Sequence, residues 1–199
     1  MIKNNLRTVC LAAILLTTSL AAEEFKIDSD TYSLVGIEAG YSRIDSELND
    51  FTNTSQMNVG SDLSSIGFKV GAETANYRVF LNSTYLNDYK SSYDYIATYG
   101  VVFQYKFNIS KETNMFVGVN SGIANMKFKL KGENLTRTLS NSYIGGGFGF
   151  DVSMSKSLDF EVGARYLNMQ ASNVKNNKEY ILNDMMSYYT SLIFKFQMN

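Results

Sequence analysis

Residues Tyr143–Val152 read YIGGGFGFDV. Glycine this dense serves a phosphate-wrapping turn, a flexible linker, or a strand that needs one bare face. A phosphate loop places glycine at a strand-to-helix turn with helix-start signals after it, and none follow here. Instead Ile144, Phe148 and Phe150 alternate with Gly145, Gly147 and Gly149, and Asp151 continues the glycine series. Gly146 is the one glycine that falls on the ring side. A period of two is the signature of a strand, whose successive side chains point to opposite faces.

The same alternation recurs along the chain. Segments near 33–43, 64–74, 77–87, 94–108, 114–126, 141–153, 158–169 and 185–197 are rich in aromatic and β-branched residues, with no helical stripe among them. Each approaches or exceeds the ~9–11 residues of a tilted strand that crosses a membrane. The connections alternate in length. Ala75-Asn76, ISKET (109–113) and SMSKS (153–157) are short, whereas 44–63, 88–93, 127–140 and 170–184 read as longer polar loops. Short turns on one side and long loops on the other is the layout of a membrane barrel.

Volume assigns the faces. One face carries most of the rings and branched side chains, from Ile37 and Tyr41 through Phe68, Tyr99, Phe148 and Tyr166 to Phe194 and Phe196. The other carries eleven of the 14 glycines, with Glu38, Lys69, Glu73, Arg78, Lys106, Asp151, Glu161, Arg165 and Lys195. An eight-stranded barrel has an interior just wide enough for side chains to fill. The rings exceed that space, so the expected barrel is inside-out, with rings toward lipid and small residues plus paired charges in the lumen. Tyr41, Tyr105, Phe107, Tyr166, Tyr188 and Phe196 lie toward strand ends, where interfacial girdles form.

Composition narrows function. The chain has no histidine, proline or tryptophan, against 14 tyrosines and 13 phenylalanines. Without histidine the usual general base, Ser-His-Asp triads and most zinc sites are lost, so no enzyme, cofactor or metal is expected. MIKNNLR is basic, TVCLAAILLTTSL apolar, and small residues lead into Glu23 and Glu24. That is a secretory signal over 1–21, cleaved after Ala21 or Ala22, leaving 22–199 as a single barrel domain with no further domain after it. Cys10 lies within the signal, so the mature chain offers no thiol. Removing Lys3 and Arg7 leaves 16 basic against 19 acidic residues, a net charge of −3, and nucleic acid is not an expected partner.

With eight strands, short turns, long opposite loops and the aromatic last strand YTSLIFKF (Tyr189–Phe196), the chain resembles the small outer-membrane β-barrels, the OmpA transmembrane domain and OmpX among them. The resemblance implies an all-β, eight-stranded antiparallel up-and-down transmembrane barrel, integral to a bacterial outer membrane, in contact with lipid and lipopolysaccharide. It also implies that Tyr189, Ser191, Phe194 and Phe196 stand in the C-terminal signal read by the barrel assembly machinery. Ser191 replaces the family's glycine, and QMN follows Phe196.

Candidate function then divides between lumen and loops. Glu38, Lys69, Glu73, Arg78, Glu161, Arg165 and Lys195 mix both signs across several strands, and desolvated charges require partners. They read as a plug, or as an ionic gate in a narrow channel, since charged rings tune pores. The loops read as adhesin-like surfaces for host or surface ligands, loop three (Lys127, Lys129, Lys131, Arg137) facing lipopolysaccharide phosphates. The acids of 44–63 lack EF-hand spacing. The expected assembly is a monomer. A soluble lipocalin-like barrel with the opposite facing is the remaining alternative.

Overall fold

The structure, a computed structural model, describes residues 31–50, 55–87, 93–129, 136–175 and 178–197. Residues 1–30, with the expected signal at 1–21, and the tips of the long connections, 88–92 included, fall outside the described residues. Eight strands follow in order: β1 (Tyr32–Asp50), β2 (Ser55–Glu73), β3 (Tyr77–Asn87), β4 (Tyr93–Asn108), β5 (Thr113–Lys129), β6 (Thr136–Ser155), β7 (Leu158–Lys175) and β8 (Lys178–Gln197). They close as one barrel in sequence order, every neighbour antiparallel and β1 paired to β8. Closure gives each backbone group in the lipid-embedded part a partner, as hydrocarbon demands.

The three short turns lie where the sequence puts them. Thr74 N donates to Tyr77 O at 2.8 Å, closing β2 to β3, and Ser110 N donates to Thr113 O at 3.0 Å, closing β4 to β5. The long connections differ from the sequence reading. Segments 44–63, 127–140 and 170–184, expected as polar loops, are mostly strand. Nine residues of β1 lie beyond Tyr41, which at ~3.3 Å rise and ~45° tilt carry the sheet about 20 Å past the outer girdle. Among the described residues β3 and β4 are the shortest strands, with 11 and 16 residues.

The facing rule holds across the lipid belt. Ile37, Ile66, Phe68, Leu81, Tyr99, Phe148 and Phe194 are exposed on the outer wall, whereas Glu38, Lys69, Arg78, Gln104, Asn120 and Glu161 are buried inside. Rings gather at both margins. Tyr77, Tyr105 and Phe107 pack edge to face near the short turns, with centroids 5.2 and 4.8 Å apart. Tyr85 stacks on Tyr95 at 5.7 Å near the opposite margin. Tyrosine thus takes the interfacial place that tryptophan often fills.

The expectation that the belt lumen holds only small residues and charges needs correction. Leu34, Phe80, Val102 and Ile193 form a buried apolar cluster there, and Phe116 is buried as well. They fit because glycines lie opposite them. A Cβ on Gly149 would sit 2.5 Å from Phe116 Cζ, and one on Gly163 would sit 2.6 Å from Tyr189 Cζ. A Cβ on Gly145 would run into the Tyr166 carbonyl oxygen. Outward Gly146 is different, since nothing lies nearer to a Cβ there than Gly118 O at 3.6 Å. The inward glycines of β6 are sockets for side chains of neighbouring strands.

Candidate functional site

The short-turn half of the lumen holds a charge network built from seven strands, all but β5. Arg78, at the start of β3, is fully buried and reaches three carboxylates. Its Nε donates to Glu73 Oε2 at 2.7 Å, Nη1 to Glu161 Oε2 at 2.8 Å and Nη2 to Asp151 Oδ2 at 2.7 Å. Lys69 Nζ donates to Glu161 Oε1 at 2.7 Å and lies 3.7 Å from Glu38 Oε2. Lys106 Nζ lies 2.9 Å from Glu73 Oε1. Deeper in, Arg165 pairs with Glu38 and lies over the Tyr189 ring, its Cζ 4.1 Å from the centroid. Lys195 Nζ lies 2.9 Å from Asp159 Oδ1, an ion pair whose geometry falls short of a hydrogen bond.

Five cations (Lys69, Arg78, Lys106, Arg165, Lys195) therefore meet five carboxylates (Glu38, Glu73, Asp151, Asp159, Glu161), and the formal charge of the network is zero. Burying charge is tolerable only when partners and hydrogen bonds replace water. Phe80 adds a ring face, with Lys69 Nζ at 5.0 Å and Arg78 Cζ at 5.5 Å from its centroid. All seven lumen charges expected from sequence lie in this network. Lys106, Asp151 and Asp159 complete it. Asp159 sits two residues before Glu161 on the same face of β7, so parity alone is the signal that finds it.

The four residues read as an assembly signal divide by face. Tyr189 and Ser191 are buried in the lumen, whereas Phe194 and Phe196 are exposed on the lipid wall.

The opposite half of the lumen is of a different kind. At and above the outer girdle each strand turns an apolar side chain inward: Ile44, Leu63, Leu86, Ile96, Met126, Tyr143, Leu167 and Met185, from β1 to β8 in order. They form one buried cluster, and Ile44, Leu86 and Ile96 have no exposed surface. Between this layer and the charges lies a polar zone, where the Ser42 and Ser187 hydroxyls share a hydrogen bond of 2.7 Å. Sequence reasoning missed the layer because its residues sit in stretches that look polar. The signal was there: Ile44 alternates with Arg43 and Asp45, Leu63 with Asp62 and Ser64, and Met126 with Asn125 and Lys127.

The outer wall of this collar is polar. Arg43, Asp45, Asp62 and Ser64 are exposed. Asn168 Nδ2 donates to Asp184 Oδ1 at 2.7 Å, and Asn183 Nδ2 donates to Glu47 Oε1 at 2.9 Å. Of the cations assigned to loop three, Lys127 lies on β5 with Nζ 5.9 Å from the Tyr95 centroid, and Lys131 is outside the described residues. Among the described residues no cluster of acidic side chains could hold a metal ion.

With a closed eight-stranded barrel, a ring-studded belt and a charged lumen established, the comparisons with known proteins decide the family. The model of the outer membrane protein beta-barrel domain matches residues 8–183. The chain belongs to that family. It is an integral protein of the bacterial outer membrane, and the soluble lipocalin-like alternative falls with its facing. A search of curated protein sequences finds no match. Among solved structures it is similar to Neisserial surface protein A, at 15% identity and TM-score 0.60 over 81% of this chain and 97% of that one. It is also similar to OprG from Pseudomonas aeruginosa, at 11% identity and TM-score 0.60 over 85% and 99% of the two chains. The N-terminal barrel domain of Pseudomonas aeruginosa OprF matches at 12% identity and TM-score 0.51 over 82% and 97%. At these identities the likeness is one of fold.

Proposed function

We propose that this family member is a closed, non-enzymatic scaffold that presents a rigid β collar outside the membrane for surface interaction. The observation that carries the reading is the apolar layer to which all eight strands contribute. It supports a closed lumen, because an ion crossing a dry apolar constriction must shed its water. It also supports a folded collar, because a polar outer wall around an apolar centre is the packing of a water-soluble protein. Lipid and lipopolysaccharide surround the belt, and β8, with Tyr189, Ser191, Phe194 and Phe196, serves as the strand read by the assembly machinery. The protein acts as a monomer, because closure leaves no unpaired strand within the belt.

A narrow ion channel is the second reading, favoured by the five charge pairs of the lower lumen. It requires the apolar layer to part. Planar-bilayer recording of the refolded protein separates the two. The scaffold reading expects no channel events above background, and steady ion current through the unmodified barrel overturns it.

A further inference from the structure

Among the described residues four strands of the collar pair on one side only: β2, β4, β6 and β7. The β4 stretch is only Tyr93–Tyr95, and the β6 stretch, Thr136–Tyr143, contains Arg137 and is bridged to β7 through Asn141. Past Ser64, which faces Asn87 of β3, β2 pairs among the described residues with β1 alone, from Ser55 to Leu63. Another edge is β7 beyond Asn168, where β7 pairs with β8 alone among the described residues.

The β2 and β7 edges are not alike. On β7 the register shifts between Asn168 and Ala171, Asn141 Nδ2 donates to Met169 O at 2.8 Å, and the strand ends on Lys175. Bulges, covering side chains and lysine are how natural sheets blunt their edges. The β2 edge shows neither a bulge nor a lysine among the described residues. Its register with β1 runs unbroken from Ser55 to Glu73, and SQMNVGSDL contains no proline, lysine or arginine. Alternate N–H and C=O groups of such a strand face away from its one partner.

We propose that the β2 edge, Ser55–Leu63, is a docking site for an extended, neutral-to-basic segment of another protein, which joins the collar as an added strand. The inference rests on the surface-interaction reading above and names its partner. The backbone donors and acceptors that face away from β1 are matched by another extended backbone. Asp62 and Asp45 flank Arg43 on the exposed face of this hairpin, leaving one acid in excess, which favours a lysine or arginine in that segment. A second copy in the same membrane is a poor occupant. Its β2 runs in the same direction across the bilayer, and its β7, which runs the opposite way, is blunted by the register shift and Lys175.

The test uses the full refolded barrel in nanodiscs and a fluorescent peptide of alternating valine and lysine. A control peptide of the same composition carries interspersed prolines. The proposal expects saturable binding of the first peptide, with amide exchange slowed over 55–63 and unchanged over 169–175. Gly60→Pro and Ser61→Pro remove neighbouring N–H groups that point to opposite sides of β2, so one variant loses an edge donor. That variant binds about tenfold more weakly, while Ser172→Pro on the β7 edge binds as before. Heat-modifiable gel mobility confirms that each variant is folded. Equal binding of the control peptide, slowed exchange elsewhere, no binding at all, or equal binding by both β2 variants overturns the edge. Whole-cell adhesion tests the parent reading separately. If shortening the β1–β2 hairpin abolishes adhesion while both proline variants bind normally, the edge fails and the surface reading stands. If shortening changes nothing, the surface reading fails.

Discussion

The belt and the collar are built from the same strands and obey opposite rules. In the belt Phe68 faces out and Lys69 faces in; a few residues earlier on β2, Asp62 faces out and Leu63 faces in. The pleat does not slip between them, since the register with β1 is continuous from Ser55 to Glu73. What changes is the solvent. Lipid outside the belt makes an apolar outer wall favourable and leaves the polar residues to the lumen. Water outside the collar restores the ordinary arrangement, so the apolar side chains cross to the inside.

That comparison breaks most visibly at Arg78. Replacing it with methionine leaves Glu73, Asp151 and Glu161 buried without their shared cation. The expected loss is about 3–5 kcal/mol in urea unfolding followed by cold gel mobility. An unchanged midpoint would mean that water already serves these carboxylates.

Outward charge sharpens the boundary. Phe68→Arg, in the middle of the belt, should destabilise by about 2–4 kcal/mol. Ser64→Arg, four residues away on the same face, should change stability by no more than about 0.5 kcal/mol. Equal effects at the two sites would erase the boundary drawn between them.

Inward truncation tests the collar. Leu86→Ala, at a fully buried site of the apolar layer, should cost about 2–4 kcal/mol. If the layer is the barrier to ions, combining it with Ile44→Ser should raise bilayer conductance, which Arg78→Met alone should not.

The smallest contrast lies within one strand. Gly149→Ala should lose about 1–3 kcal/mol, because its methyl meets Phe116. Gly146→Ala, facing open space, should be neutral or slightly stabilising by reducing the freedom of the unfolded chain. Both are read from the same unfolding curve.

Much of the belt was legible in the sequence because strand alternation is a local property. Ile144, Phe148 and Phe150 against Gly145, Gly147 and Gly149 assign the faces of β6 without a neighbour, and the same parity places all seven expected charges in the lumen. The collar was less legible. Ile44, Leu63 and Met126 are single apolar residues in polar surroundings, and only the closed barrel brings them together. Which carboxylate meets which cation was not legible either, since Arg78 and Asp151 lie 73 residues apart.

Reading residues alone establishes that this chain alternates, that it has too many rings for a narrow barrel to hold, and that it contains no histidine. These follow from side-chain volume and type. Only the tertiary structure decided which glycine receives which ring, where five cations find five carboxylates, and where the two faces exchange roles. Each of those depends on barrel closure and on the register between strands, which sets neighbours that no stretch of sequence contains.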